Sequence, residues 1–298
     1  MSKTLRAHLA LLAANLIYAA SFTIAKRVTN GPVPPFALVL VRASGAVVLF
    51  WLTALFFVRE KTEKKDLPRF VLLAVVGVAI NQLMFLKGLS LTSPISASIM
   101  MITTPILVLI IAAVLVKERI TALRTTGIFL GFAGAVILML GNKKQGGPAD
   151  NGFGDLFVFI NALSWGAYLV LVKPLMKKYH TVTILRWVFL FGWILVFPFG
   201  IGDLKSVNWC GFSQTDWLNL IFVVLFTTFF AYMLNTYALQ SLSASVVSAY
   251  IYLQPLLAAA IALYLGSDQI DLLKLVSACM IFAGVYIAGR PSSPKGLS

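Results

Sequence analysis

Apolar runs of roughly twenty residues, broken by short polar stretches, pattern this chain almost from end to end. A helix rising about 1.5 Å per residue needs about 20 apolar residues to cross about 30 Å of hydrocarbon. On that rule the pattern predicts ten membrane helices, at about 7–29, 35–58, 69–90, 94–116, 121–141, 153–176, 181–202, 215–240, 244–266 and 269–289. Turn and cap chemistry marks the breaks: Asn30-Gly31-Pro32, Thr92-Ser93-Pro94, Gly146-Gly147-Pro148, Ser241-Leu242-Ser243 and Gly266-Ser267-Asp268. The longest break, 142–152, divides the chain into 1–141 and 153–290, and the polar stretch 291–298 is expected to be a disordered tail. The first run follows Lys3 and Arg6 as a signal peptide would, but its length predicts a retained helix.

The two parts repeat one another. From Leu89 to Ile137, 14 of 49 positions are identical to the residue 150 places later, with no gap. Shared Leu, Ile and Ala inflate that count. The register of Ser93 with Ser243, Ser98 with Ser248, Pro105 with Pro255, Glu118 with Asp268 and Phe132-Ala133-Gly134 with Phe282-Ala283-Gly284 is harder to produce by composition alone. At an offset of 147, Leu16, Tyr18, Ala20 and Lys26 match Leu163, Trp165, Ala167 and Lys173. A fixed period dictates architecture. Five helices per copy is an odd number, so the second copy enters the membrane from the opposite side. The expected fold is an all-α integral membrane protein of ten transmembrane helices, arranged as two inverted five-helix repeats. Secondary transporters use this plan, with substrate near the midplane between the repeats.

Composition agrees: 60% of residues are hydrophobic and 11% charged, against about 45–50% and about 25% in soluble domains. The net charge of +14 suggests nucleic acid at first sight. However, the basic residues cluster at helix ends, and no nucleic-acid partner is expected. Placing both termini in the cytoplasm puts 16 Lys and Arg inside and 8 outside, the orientation that the positive-inside rule favours. Cys210 and Cys279 form no metal or disulfide framework, and neither metal nor cofactor is expected.

Several motifs resemble one family. They are Tyr18, Lys26, Arg42, the stretch Leu91 to Ser98, Thr104-Pro105, Leu115 to Arg119 and Gly127 to Gly134 in the first half. The second half adds Trp165, Lys173, Arg186, Ser243 to Ser245, Gln254-Pro255 and Phe282 to Gly284. Each half resembles an EamA domain of the drug/metabolite transporter superfamily, so 1–141 and 153–290 read as two EamA repeats around a 142–152 linker. Asp268 stands where the family usually has Glu, a conservative departure. The resemblance implies ten helices, cytoplasmic termini, and export or exchange of small metabolites.

The site is sought among neutral polar and aromatic residues. All ten acids and both His lie in predicted loops or at helix ends, so tight proton coupling through a buried acid is not expected. Lys26, Lys87, Lys173, Arg42 and Arg186 sit within roughly two turns of predicted ends and read as interfacial anchors; the arginines could instead tie helix ends through carbonyls. Near mid-depth, residues at helical spacing share faces. They are Asn15, Tyr18 and Phe22; Asn81, Gln82 and Phe85; Ser98, Met101 and Thr104; Asn161, Trp165 and Tyr168; Thr228, Tyr232 and Asn235; and Ser248, Tyr252 and Gln254. Tyr18 and Trp165 are expected to meet across the pseudo-axis. Pro105 and Pro255 break backbone bonds within their helices and are candidate hinges.

These readings point to a transporter, not an enzyme, carrying amino acids or related neutral and amphipathic metabolites by alternating access. The expected partners are a small-molecule substrate and the lipid bilayer, with the chain a monomer or homodimer. Short loops and the lack of an N-x-[ST] sequon suit a bacterial inner membrane. The alternatives are a nucleotide-sugar or triose-phosphate-like antiporter of the same superfamily and, less favoured, an intramembrane enzyme. Basic groups needed for a heavily anionic substrate are missing from the expected cavity, and no G-x-S-x-G nucleophile motif occurs.

Overall fold

Ser2 opens the first helix by accepting a hydrogen bond from the Leu5 amide, so α1 (Lys3–Thr29) begins about four residues before its apolar run. The computed structural model describes residues 2–92, 97, 100–115, 117, 121–141, 152–264 and 272–289. The linker and tail expectations lie outside these residues, apart from Gly152. Further along run α2 (Pro35–Phe57), α3 (Lys64–Leu91), α4 (Thr104–Leu115) and α5 (Ala122–Gly141). The second half holds α6 (Gly152–Met176), α7 (Thr181–Lys205), α8 (Gln214–Ser241) and α10 (Leu272–Gly289). Between the last two lies α9, built from Ala244–Ala249, a 3-10 turn at Tyr250–Tyr252, and Leu253–Tyr264. Among the described residues, six helices are long and apolar enough to span a bilayer, and four shorter apolar stretches complete the ten.

The helices pack in symmetry-related pairs. α3 lies on α6 as α8 lies on α1, and α4 lies on α6 as α9 lies on α1. On the axis itself, α2 packs against α7 and α5 against α10. Lipid supplies little hydrophobic drive between helices, so close approach at small residues must hold them. Gly45 of α2 leaves room for Val224 of α8, and Gly192 of α7 leaves the matching room for Val78 of α3; a Cβ on either glycine would fall within 2.5 Å of its valine. Small residues of α5 do the same work. Gly127 faces the Gly284 and Ala288 backbone, and Gly134 faces Ser277 and Met280.

Irregular turns recur in register. α3 contains a π-helical stretch at Val75–Ala79, and α8 one at Val223–Phe230. α4 follows a turn at Ile102 and Thr103, just ahead of Pro105, as α9 has its 3-10 turn just ahead of Pro255. Each proline thus follows a break in the regular α-helix.

Lys26 and Lys173 do not simply reach for headgroups, as the sequence suggests. Lys26 Nζ donates to the Thr92 carbonyl, the C-cap of α3, and Lys173 Nζ donates to the Leu242 carbonyl, the C-cap of α8, at 2.5 Å. Each half thus uses a lysine of one helix to satisfy a helix end of its neighbour. On the membrane face carrying residues 58–66, charges bind that loop to the turn after α6. Lys178 pairs with Asp66 at 2.5 Å and with Glu63 at 2.7 Å, and Arg186 Nη2 donates to the Glu60 carbonyl at 3.1 Å. Arg186 is thus the carbonyl tie that the sequence allows.

Candidate functional site

Asn15, Tyr18 and Phe22 follow one another at three and four residues along α1, and all three reach a cavity between the halves. Asn81, Gln82 and Phe85 of α3, Asn161 and Trp165 of α6, Thr227, Tyr232 and Asn235 of α8, and Val247, Ile251 and Gln254 of α9 complete most of its wall. Ser21, Arg42 of α2 and Met101 fill the gaps. The cavity volume is about 70 Å³. The space is narrow, suited to a small organic molecule.

Hydrogen bonds hold the wall in place. Gln254 Nε2 donates to Asn15 Oδ1 at 2.9 Å, and Asn15 Nδ2 donates to the Leu11 carbonyl at 2.8 Å. Asn161 Nδ2 donates to the Asn81 carbonyl at 2.8 Å. The Tyr232 hydroxyl lies 2.9 Å from the Gly77 carbonyl and 3.1 Å from Asn81 Oδ1, with Gln82 Nε2 at 3.5 Å. Gly77 belongs to the π-helical stretch of α3, where its carbonyl also takes a side-chain hydrogen bond. The same logic applies in α8, where Thr228 Oγ1 donates to the Val223 carbonyl at 2.9 Å and accepts from Arg42 Nε at 2.8 Å. Gln82 Oε1, Asn161 Oδ1 and Thr227 Oγ1, all on lining residues, have no partner among the described residues.

Of the residues expected from sequence, Asn15, Tyr18, Asn81, Gln82, Phe85, Met101, Trp165, Tyr232, Asn235 and Gln254 line the cavity. Tyr168 and Tyr252 stand behind it. The Tyr168 ring is fully buried against Gly77, where a Cβ would come within 2.4 Å, and its hydroxyl meets Thr236 Oγ1 at 3.4 Å. Tyr252 packs on Gly131 of α5 in the same way. Thr104 is buried at the start of α4, outside the lining. Ser98 lies outside the described residues.

The structure corrects two expectations. Trp165 and Tyr18 share the cavity without pairing their rings: Trp165 stacks on Tyr168 (centroids 5.1 Å, 19°) and meets Tyr232 edge-on at 5.3 Å. The cavity also contains a base. Arg42, read from sequence as an interfacial anchor, is buried and borders the space. Its flanking residues, Ala43, Ser44, Gly45 and Ala46, carried the missed signal, because small residues mark a face turned to other helices. Among the described lining residues none is Asp, Glu or His.

The chain is similar over most of its length to known proteins. It is 27% identical over 287 residues to an uncharacterized transporter of Archaeoglobus fulgidus, covering 95% of this chain and 96% of that one. It is 23% identical to the uncharacterized transporter YyaM of Bacillus subtilis, covering 96% and 94%. With the Arabidopsis thaliana protein WALLS ARE THIN 1 it shares 23% identity, covering 95% and 82%. One solved crystal structure superimposes with a TM-score of 0.75 at 18% identity, covering 95% of this chain and 96% of that one. The model of the EamA-like transporter family matches twice, at residues 5–140 and 152–290. The chain therefore belongs to the EamA-like transporter family and is a membrane transporter.

Proposed function

We propose that this transporter moves small organic metabolites by alternating access, with the cavity between its halves as the substrate site. The observation that carries the reading is the origin of the lining: facing positions of α1 and α6, and of α3 and α8, meet around one narrow space. A rocking motion of two inverted halves would expose such a space to each side in turn. Aromatic walls from Tyr18, Phe22, Phe85, Trp165 and Tyr232 supply apolar contact, and the Asn15, Asn81, Gln82 and Gln254 amides supply direction. With no carboxylate or His among the described lining residues, exchange independent of a proton gradient is favoured. The nucleotide-sugar alternative is disfavoured, since one guanidinium offers little against a diphosphate.

The test is counterflow in proteoliposomes, using substrates found by a metabolite-export screen in cells overexpressing the chain. Counterflow without a gradient supports the reading. Failure of every screened metabolite to exchange, with folded and inserted protein, sinks it. We also assign both termini to the cytoplasm of a bacterial inner membrane, on the 16-to-8 basic asymmetry. Single cysteines placed in 142–152 should label from outside and those near Lys64 should not, once the exposed Cys210 and Cys279 have been replaced. The opposite pattern reverses the orientation.

A further inference from the structure

Arg42 poses a problem of charge. It enters seven residues into α2, is 4% exposed, and is the only ionised side chain among the described residues that line the cavity. Its Nε is committed: it donates to Thr228 Oγ1, whose own proton goes to the Val223 carbonyl at the start of the π-helical stretch of α8. That bond sets the plane of the guanidinium. The two Nη nitrogens make no hydrogen bond or ion pair among the described residues, and Arg42 borders the cavity. A buried cation held in a fixed orientation without a counter-ion is costly, and at membrane depth it marks a place where a ligand supplies the missing charge.

We propose that Arg42 receives a carboxylate of the transported molecule on its two Nη nitrogens, so that the cavity selects small organic monoanions over their uncharged isosteres. The proposal rests on the cavity being the transport site. A planar guanidinium with free terminal nitrogens matches a carboxylate by two parallel hydrogen bonds. One cation balances one negative charge. The rings of Phe22, Phe85 and Trp165 leave the rest of the ligand in apolar and aromatic surroundings. Thr228 is the positioning residue, and its bond to the Val223 carbonyl sets its hydroxyl.

The test uses benzoate and benzamide, nearly isosteric and different in charge, with the purified full chain in lipid nanodiscs. Binding is read by tryptophan fluorescence and by thermal unfolding. Wild type should bind benzoate at least about tenfold more tightly than benzamide. Arg42→Gln should bring the two within about threefold, and Arg42→Lys should keep part of the preference. Thr228→Val, which keeps the charge and loses its orientation, should also narrow the gap. Should Arg42→Gln fail to fold, the Arg42→Lys and Thr228→Val pair still decides, since both keep the cation. Equal binding of acid and amide by wild type overturns the proposal, as does no benzoate binding by folded protein, or an undiminished preference in the variants. Arg42-dependent benzoate binding by a chain that exchanges none of the screened metabolites in proteoliposomes would preserve the anion site and remove the transport reading instead.

Discussion

Gln254 and Asn15, 239 residues apart in sequence, are joined by a 2.9 Å hydrogen bond from Nε2 to Oδ1 that ties the ninth helix to the first at the cavity wall. Polar bonds between membrane helices contribute about 0.6 kcal/mol on average and about 1.7 kcal/mol at most, because unfolded helices in lipid also find partners. A double-mutant cycle of Asn15→Ala and Gln254→Ala, read by unfolding in micelles, should give coupling of about 0.5–1.5 kcal/mol. Additive losses would mean that the pair is incidental to holding α1 against α9.

Trp165 and Tyr168 stack on each other, yet only Trp165 faces the cavity. Trp165→Ala should weaken ligand binding by about 1–3 kcal/mol through lost apolar contact, with little loss of folded protein. Tyr168→Ala should instead lower stability by about 2 kcal/mol or more. In lipid that cost comes from lost packing against Gly77 and from the void left behind, more than from transfer out of water. Binding and unfolding are measured on both variants, and an exchange of the two phenotypes would refute the assignment.

The ten-helix plan was legible because apolar length and an odd repeat are coarse signals that tolerate errors of several residues. The lining was legible where plain α-helical spacing holds, as from Asn15 through Tyr18 to Phe22. It failed where the backbone leaves that spacing. The π-helical stretch of α8 widens the turn, so Thr227 borders the cavity while Thr228, the residue that simple spacing selects, turns to Arg42. Tyr168 and Tyr252 lie on the expected faces, but a helical face is broad enough to include both the lining and the layer behind it. What separates them is the glycine each ring packs on, and that requires knowing which helices meet.

The ion network on the 58–66 face has a defined pH response. Hydrogen bonds from Lys178 and then Lys65 hold the Glu63 carboxyl below its ordinary value of 4.5. For Lys178, partial burial opposes the charge, but hydrogen bonds with Asp66, Glu63 and Tyr179 outweigh it and raise its pKa above the ordinary 10.5. The Glu63 contribution is thus complete above 4.5 and lost as pH falls through its lower folded value; that of Lys178 is complete below 10.5 and lost as pH rises through its higher one. Hydrogen exchange of the 58–66 loop, corrected for intrinsic rates, should stay constant between these limits and accelerate in acid. Lys178→Met should give fast exchange at neutral pH. Unchanged protection in that variant would show that the loop is held by other contacts.

Pro105 and Pro255 occupy matched breaks in α4 and α9, each just after a tightened or open turn, and Gln254 of the wall immediately precedes the second. Proline removes one backbone donor and crowds the carbonyl four residues back, so these turns are weaker than a continuous helix. If the halves rock around the cavity, bending concentrates at those two points. Replacing either proline with alanine restores a donor and favours a straight helix, which opposes the bend without touching the ligand. Pro105→Ala and Pro255→Ala should therefore change the exchange rate in proteoliposomes several-fold while leaving ligand affinity within about twofold of wild type. Because the breaks are related by the repeat, the double variant should be affected more than either single one. Equal losses in rate and affinity would make the prolines parts of a static wall, and unchanged exchange in the double variant would place the bending elsewhere.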